Sequence, residues 1–459
     1  MLLENRKALI LGAGKSGVAS AEFLAARGAV VALHDKKPIE NWTDEAKALK
    51  ERKIGLIDGN LPSWLLDQID LVVISPGVPT NSIPARYVDR KNGEVIGEVE
   101  LGYRFTKGRF VGITGSNGKT TTTTLIGELL KNSGIETQIG GNIGTPLISL
   151  AKTSTEKTWT VAELSSFQLE TIVDFRPNIG ICLNVTPNHL DRYDFFSDYA
   201  AAKHRLFANQ TAEDVAILNA DDEITASWAS GLKANIVLFS TKKELDEGLF
   251  LRNRDLICRA GGKEKILTTR DDIFLRGLHN VENILAALAA GLACGAAPDS
   301  MRETVKNFKG VEHRIEFVAE IEGVKFYNDS KATSVDATLK ALEAFAEEDG
   351  KTVLILGGRG KNAPYAPLEN LVKEKVRRLI VFGEDAENIE GQLKKSAEVM
   401  RASTMSEAVE KAFHSARRGD SVLLAPACAS FDMFTSFEER GKVFKRKVLQ
   451  LMDIHKTQD

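Results

Sequence analysis

The chain has 459 residues, 43% of them hydrophobic and 27% charged, with a formal net charge of -3. That length exceeds what one hydrophobic core serves and, at roughly 150 residues per domain, predicts about three domains; the composition excludes a disordered or fibrous chain. The small negative balance, without a polybasic block, argues against a nucleic-acid partner, and four dispersed cysteines (Cys182, Cys258, Cys294, Cys428) fit reduced thiols in a reducing compartment better than disulfides or a zinc site.

The first apolar run, Ala8 to Leu11, follows the N-terminus directly, so no export signal is expected. It opens into Gly12-Ala13-Gly14-Lys15-Ser16-Gly17, a G-x-G-x-x-G turn, with Asp35 after the next strand. This pattern suits a dinucleotide, but the glycines guarantee only a tight turn and close phosphate approach, which any diphosphate-bearing ligand exploits. A second strand, Leu71 to Ile74, leads into Ser75-Pro76-Gly77-Val78, another ligand-facing edge. Polar passages near Lys91 to Glu100 and near Lys306 to His313 divide the chain into domains of residues 1–97, 98–311 and 312–459.

The strand Phe110 to Ile113 enters Thr114-Gly115-Ser116-Asn117-Gly118-Lys119-Thr120-Thr121, followed by Leu125, Ile126, Leu129 and Leu130 at helical spacing. Strand, glycine loop and helix make a phosphate cradle. Gly115 and Gly118 let backbone N–H groups turn toward phosphate oxygens, the helix start adds its positive end, Lys119 supplies charge and Thr120 is suited to Mg²⁺. Ile113 stands where a full Walker A pattern has glycine, so the form is the shorter G-x-x-G-K-[ST]. A glycine turn that happens to precede Lys and Thr is the weaker alternative, given the flanking strand and helix.

Trp159 to Ala162 reads as a strand ending in Glu163, and Ile179 to Leu183 as one emptying into the segment that carries His189; both ends face the ligand crevice of a parallel sheet, and Glu163 and His189 are magnesium-ligand candidates. A lone Glu or His in a loop is more often simply solvated or hydrogen-bonded. Lys203, in a helix from Tyr199 to Phe207, reads by itself as a surface charge. Phe250 to Thr269 alternates in short charged patterns, as an antiparallel hairpin does, and Ile284 to Ala297 reads as a buried helix, too short to cross a bilayer. Strands at Val353 to Leu356, Leu379 to Val381 and Val422 to Leu424 complete a third α/β group. Within it, Asp329-Ser330-Lys331 is either a turn with a surface ion pair or part of a site, and Gly357-Gly358 a simple turn or a ligand edge.

Taken in order, the loop Thr114 to Thr120, Glu163-Leu164-Ser165-Ser166-Phe167-Gln168-Leu169, Asn184-Val185-Thr186, His189-Leu190-Asp191-Arg192, His313-Arg314, Asn328-Asp329-Ser330-Lys331-Ala332-Thr333 and Pro426 to Asp432 closely resemble the Mur ligase family over nearly the whole chain. Gly140-Gly141-Asn142-Ile143-Gly144 and Gly357-Gly358 with Gly360-Lys361 resemble the members that add D-glutamate, and the Asp-Asn-Pro-Arg-type string of the ligase adding the next residue is absent. The resemblance implies three α/β domains: an N-terminal Rossmann-like domain for UDP rather than NAD, a central P-loop ATPase-like parallel sheet, and a C-terminal Rossmann-like domain that brings the amino acid. It implies a cytoplasmic, monomeric enzyme of peptidoglycan precursor synthesis, serving cell-wall biogenesis and division, that uses ATP and Mg²⁺ to join D-glutamate to UDP-N-acetylmuramoyl-L-alanine.

Carried over by motif, Gly115, Ser116, Asn117, Gly118, Lys119, Thr120, Thr121, Asn280 and Asn283 would bind ATP, joined by Arg314, Asp329 and Lys331 of the third domain. Lys119, Glu163, His189, Lys203 and Arg314 would be catalytic. Thr120, Glu163, His189 and, if carbamylated, Lys203 would hold metal. Lys15, Ser16, Gly17, Asp35, Lys36 and Gly77 would face UDP, with Asn142 and His189 on the rest of that substrate, and Thr333, Lys361, Ser430 and Phe437 would surround D-glutamate. A folylpolyglutamate synthase of the same family, and a nucleotide-gated binding protein that makes no bond, are the alternatives.

Overall fold

In the computed structural model, residues 2–79, 93–187, 192–193, 195–275, 277–345, 350–361 and 363–456 are described, and among them the strands form three sheets. The first contains β1 (Lys7–Leu11), β2 (Val30–Asp35), β3 (Gly55–Asp58), β4 (Leu71–Ile74) and β5 (Glu94–Gly97), all parallel, in the order β3-β2-β1-β4-β5. The second contains β6 (Arg109–Thr114), β7 (Thr137–Gly141), β8 (Trp159–Glu163), β9 (Ile179–Cys182), β10 (Val215–Asn219), β11 (Asn235–Ser240), β12 (Gly248–Arg252), β13 (Asp255–Ala260) and β14 (Lys263–Thr269). Their order is β14-β13-β12-β11-β10-β9-β6-β8-β7, parallel from β7 to β12 and antiparallel through the charged meander β12-β13-β14, as the alternation in Phe250 to Thr269 predicts. The third contains β15 (Glu316–Ile321), β16 (Val324–Asn328), β17 (Thr352–Gly357), β18 (Val376–Phe382), β19 (Glu398–Arg401) and β20 (Ser421–Leu424), ordered β15-β16-β20-β17-β18-β19 with only β15 antiparallel.

Every residue of β4, β8, β9, β17 and β20 is buried, which is why these strands read as continuous apolar runs: helices cover both faces of a parallel sheet. The chain divides into two compact units, one formed by residues 1–273 and 278–308 and the other by 274–277 and 309–459. Within the first, the helix Glu98–Phe105 joins the two sheets. Phe105 meets Phe23 at 5.0 Å between ring centroids, while Tyr103 meets Phe110 and Phe175 at 5.5 and 5.2 Å. Glu100 of the same helix is fully buried and satisfied by the backbone N–H groups of Val173, Asp174 and Phe175 together with Arg104. The apolar run from Ile284 is a buried helix, Leu278–Ala293, but it stops before Ala297. Gly295 takes the left-handed conformation (φ 85°) and the N–H of Ala296 bonds back to Gly291, closing the helix as glycine does at this position. No described helix is long and apolar enough to cross a membrane.

Candidate functional site

The phosphate loop leaves β6 beside β9, where the strand order of the second sheet reverses, the place at which parallel α/β sheets bind ligands. Gly115 and Gly118 both have positive φ, 150° and 83°. Gly118 precedes the helix Lys119–Asn132, and there a Cβ would lie 2.1 Å from Asn283 Oδ1, so the helix carrying Asn283 approaches too closely for any side chain. Asn283 accepts from Thr122 Oγ1 (3.3 Å) and donates to Asn280 Oδ1 (3.2 Å), which brings both predicted asparagines to the loop's flank. The other flank is fixed by the segment after β9. Asn184 accepts from the Ser116 and Asn117 N–H groups, and Ser116 Oγ bonds to Thr186 at 2.9 Å and to the Tyr199 hydroxyl at 3.1 Å. Lys119 Nζ donates to the carbonyls of Gly115 (2.8 Å) and Ser116 (3.0 Å), and Thr120 and Thr121 are buried in the first helical turn.

Glu163 ends β8 in register with Ile113 and Gly141. One carboxylate oxygen accepts from Asn142 Nδ2 at 2.9 Å; the other is buried with no hydrogen-bond partner among the described residues. An anionic oxygen left so is costly unless a cation or donor meets it. Lys203, which the sequence alone places on the surface, is instead 1% exposed and donates to Gly115 O at 2.9 Å. Its helix, Phe196–His204, begins and ends three residues earlier than predicted, and Arg205–Phe207 tightens into a 3₁₀ turn. Burial, with Lys119 as a nearby like charge, pushes the Lys203 amine down to about 7. His189 lies outside the described residues. Among those described, no cluster of three or more His, Cys, Asp or Glu has the arrangement of a metal cage. Glu163 with Thr120 nevertheless fits Mg²⁺, which takes one or two carboxylates and completes its shell with water and phosphate.

In the first sheet, the Gly12 turn follows β1 and the Ser75 turn follows β4, again where the strand order reverses. Gly17 packs so tightly that a Cβ would meet Gly12 O at 1.8 Å, and Ser75 Oγ donates to the same carbonyl at 3.2 Å. Asp35 accepts from the N–H groups of Ala13 (2.9 Å) and Lys37 (3.0 Å), joining the ends of β1 and β2. Lys15 Nζ reaches Gly144 O at 2.5 Å, Ser16 O accepts from Ser20, and Lys36 and Gly77 are exposed at the rim.

In the second unit, β16, β20 and β17 end side by side, and the segments that follow carry Asp329 to Thr333, Pro426 to Ser430, and Gly357 to Lys361. An isolated bridge between Arg359 and Ala429 ties two of these segments, and Lys361 Nζ stands 3.4 Å from Thr333 Oγ1. Ser430 is buried beside them, and Phe437 opens the helix Phe437–Lys456 with Lys331 Nζ 5.9 Å from its ring centroid. Burial raises the Asp329 carboxyl to about 7 against the pull of Arg314 and Lys331, and Arg314 Nε is buried with no hydrogen-bond partner among the described residues. Two groups to which sequence reasoning assigned no role organise this region. Arg440 is 0% exposed and donates to Ser330 Oγ and O, Cys428 O, Ala429 O and Gly357 O, binding all three segments to one guanidinium. Asn328 binds Glu316, His313 and Ser330. Arg440 carries no signal, sitting in a charged helical run, whereas Asn328 opens the Asn328-to-Thr333 string of the family resemblance.

Comparison with known proteins gives the lineage. Residues 6–97 match the Mur ligase MurD-like N-terminal domain, residues 113–291 the Mur ligase middle domain, and residues 313–428 the Mur ligase glutamate ligase domain. The UDP-N-acetylmuramoylalanine–D-glutamate ligase of Koribacter versatilis is 45% identical over 456 residues, 99% of this chain and 100% of the relative. The chain belongs to the Mur ligase family. The ligase of the same name from Solibacter usitatus is 47% identical over 448 residues, 98% of each chain. Solved Mur ligases share the fold: the Thermotoga maritima MurF ligase in complex with ADP (TM-score 0.58, 18% identity, 98% of this chain and 99% of that one) and the T. maritima UDP-N-acetylmuramate-alanine ligase MurC (0.57, 19%, 97% and 99%). The expected Mur ligase architecture of Rossmann-like, P-loop and Rossmann-like sheets is therefore present, and the first glycine turn lies in a MurD-like N-terminal domain.

Proposed function

We propose that this Mur ligase joins D-glutamate to UDP-N-acetylmuramoyl-L-alanine in the cytoplasm, with ATP converted to ADP and phosphate. The observation that carries the reading is identity of 42–47% along essentially the full chain to ligases of that name. In domain terms, residues 1–97 take the UDP moiety through the Gly12 turn, Lys15, Ser16, Gly17, Asp35, Lys36 and Gly77. Residues 98–311 take ATP, and residues 312–459 take D-glutamate through Thr333, Lys361, Ser430 and Phe437.

The substrate carboxylate attacks the ATP γ-phosphorus, releasing ADP and leaving an acyl phosphate; the D-glutamate amine then attacks the acyl carbon and phosphate departs. The amides of residues 115 to 121 and Lys119 hold the phosphates, Asn280 and Asn283 flank the nucleotide, and Arg314, Asp329 and Lys331 complete its binding. The Lys119, Arg314 and Lys331 cations offset the charge spread over the phosphoryl oxygens as the bond to ADP breaks. Thr120 and Glu163, with His189 and Lys203 as a carbamate, would hold Mg²⁺, which neutralises phosphate charge when bound. The lowered amine of Lys203 supports that modification, because only a neutral amine adds CO₂, and the product is an anion. Asn142 fixes the Glu163 carboxylate through its 2.9 Å bond and borders the UDP-linked substrate.

The test is ADP release in the presence of UDP-N-acetylmuramoyl-L-alanine and a panel of amino acids. D-glutamate alone should stimulate it, and Lys119→Ala should abolish turnover while sparing binding of the UDP substrate. Stimulation by another amino acid, or hydrolysis indifferent to all of them, would overturn the reading.

A further inference from the structure

Asn328, the last residue of β16, is fully buried, and all three of its side-chain hydrogen bonds have distinct partners. Its Oδ1 accepts from the Ser330 N–H (3.1 Å), and its Nδ2 lies 3.0 Å from Glu316 Oε2 and 2.9 Å from His313 Nδ1. These partners fix the amide's orientation, since a flipped amide would set its oxygen against the Glu316 carboxylate and its NH₂ against a backbone N–H. His313 Nδ1 is therefore an acceptor, and the ring carries its proton on Nε2. Burial also holds His313 below its ordinary pKa, against the pull of Glu312 and Glu316.

The backbone that this amide grips is strained. His313 has φ 65° and Ile315, a β-branched residue, has φ 43°. Two non-glycine residues in the left-handed region on either side of Arg314 persist only where the surroundings over-determine them. The surroundings do so. Glu316 accepts from the His313 N–H at 2.9 Å, His313 O accepts from the Lys331 N–H at 3.2 Å, and Gly441 passes so close that a Cβ there would meet His313 Nδ1 at 2.2 Å. Asn328 is the side chain that bonds both to this turn, through His313, and to the turn carrying Asp329 and Lys331, through Ser330.

We propose that Asn328 is a positioning residue for ATP: its amide locks the strained His313–Arg314–Ile315 turn to the Asp329–Lys331 turn, so that the Arg314 and Lys331 cations are presented in a fixed mutual arrangement. The proposal rests on the assignment of those two cations to the nucleotide. Misplacing a positioning group by about 1 Å costs up to roughly 100-fold in rate, so Asn328→Ala should lower kcat/KM for ATP by roughly 10–100-fold while leaving KM for D-glutamate nearly unchanged. Adding Asn328→Ala to Arg314→Ala should cost less than the sum of the two separate losses, because both act on one arrangement.

The outcomes separate. If Arg314→Ala keeps normal ATP kinetics, the nucleotide assignment itself is wrong. If Arg314→Ala is impaired but Asn328→Ala is not, only the positioning role falls; equal rises in KM for ATP and D-glutamate would mean general loosening and would also overturn it. Should Asn328→Ala fail to fold, ¹⁵N-histidine spectra of the unaltered protein decide, with His313 assigned by its loss in His313→Gln. A proton on Nε2 is expected, and one on Nδ1 would exclude the Asn328 bond.

Discussion

The two ends of the helix Lys119–Asn132 offer an internal control on why Gly118 is glycine. Gly118 and Gly134, just before and just after it, have nearly equal φ, 83° and 76°, but an added Cβ meets Asn283 Oδ1 at 2.1 Å in the first case and nothing within 4 Å in the second. Alanine in the left-handed region costs roughly 1–2 kcal/mol, so Gly134→Ala should lose about that and no more. Gly118→Ala should lose the same again plus the Thr122–Asn283 bond, worth about 1 kcal/mol when Asn283 is displaced, for a total of roughly 2–3 kcal/mol. At about 2–4 °C per kcal/mol for a domain of some 200 residues, its first thermal transition should fall by roughly 4–12 °C. The difference between the two variants isolates the close approach of the Asn283 helix. ADP release should follow the same split, with KM for ATP raised strongly in Gly118→Ala and unchanged in Gly134→Ala. Equal melting losses in the two variants, or normal ATP kinetics in Gly118→Ala, would refute the reasoning.

Three further outcomes are expected. Since the Lys203 amine lies at about 7, protonation competes with CO₂ as the pH falls through that value. A ¹³C-carbamate signal from labelled bicarbonate should decline together with ligation below pH 7 and recover with added bicarbonate, and Lys203→Arg should show no signal. Lys361→Ala should raise KM for D-glutamate by the roughly 1.5–3 kcal/mol of a hydrogen bond to a charged group, or about 10–150-fold, with KM for ATP unchanged in the same assay. Arg440→Met should destabilise the second unit by about 3–5 kcal/mol, because the buried carbonyls of Ser330 and Cys428 lose their donor and Ala429 O keeps only the Arg359 N–H; denaturant unfolding of the variant beside the unaltered protein measures it.

What could be read from the sequence was whatever chemistry is local. The buried strands announce themselves because parallel pairing hides both faces, and the phosphate loop does so because its glycines, lysine and threonines are consecutive. Lys203 could not be read this way. Its burial is created by Gly115 O and the Tyr199 ring, which arrive from 88 residues upstream and from the preceding helical turn. Arg440 lies among Glu438, Glu439, Lys442 and Lys445, and nothing in that run distinguishes the one charge that turns inward onto three segments. Asp35 is a middle case: its place at a strand end was visible, but its bond to the Ala13 amide depends on the parallel pairing of β1 with β2. The early stop of the Leu278–Ala293 helix was written in Gly295 and overshadowed by the alanine run around it.

The charged meander β12-β13-β14 has a consequence for solubility. A nine-stranded sheet leaves an outer strand whose unpaired backbone groups could template the same strand of another molecule. Here that strand, β14, begins with the exposed run Lys263-Glu264-Lys265, and Glu264 is held by Arg252 and Arg259 from the neighbouring strands. Sheet-to-sheet growth through this edge would have to strip water from those charges and break those pairs, so the meander guards a long parallel sheet against aggregation as well as extending it.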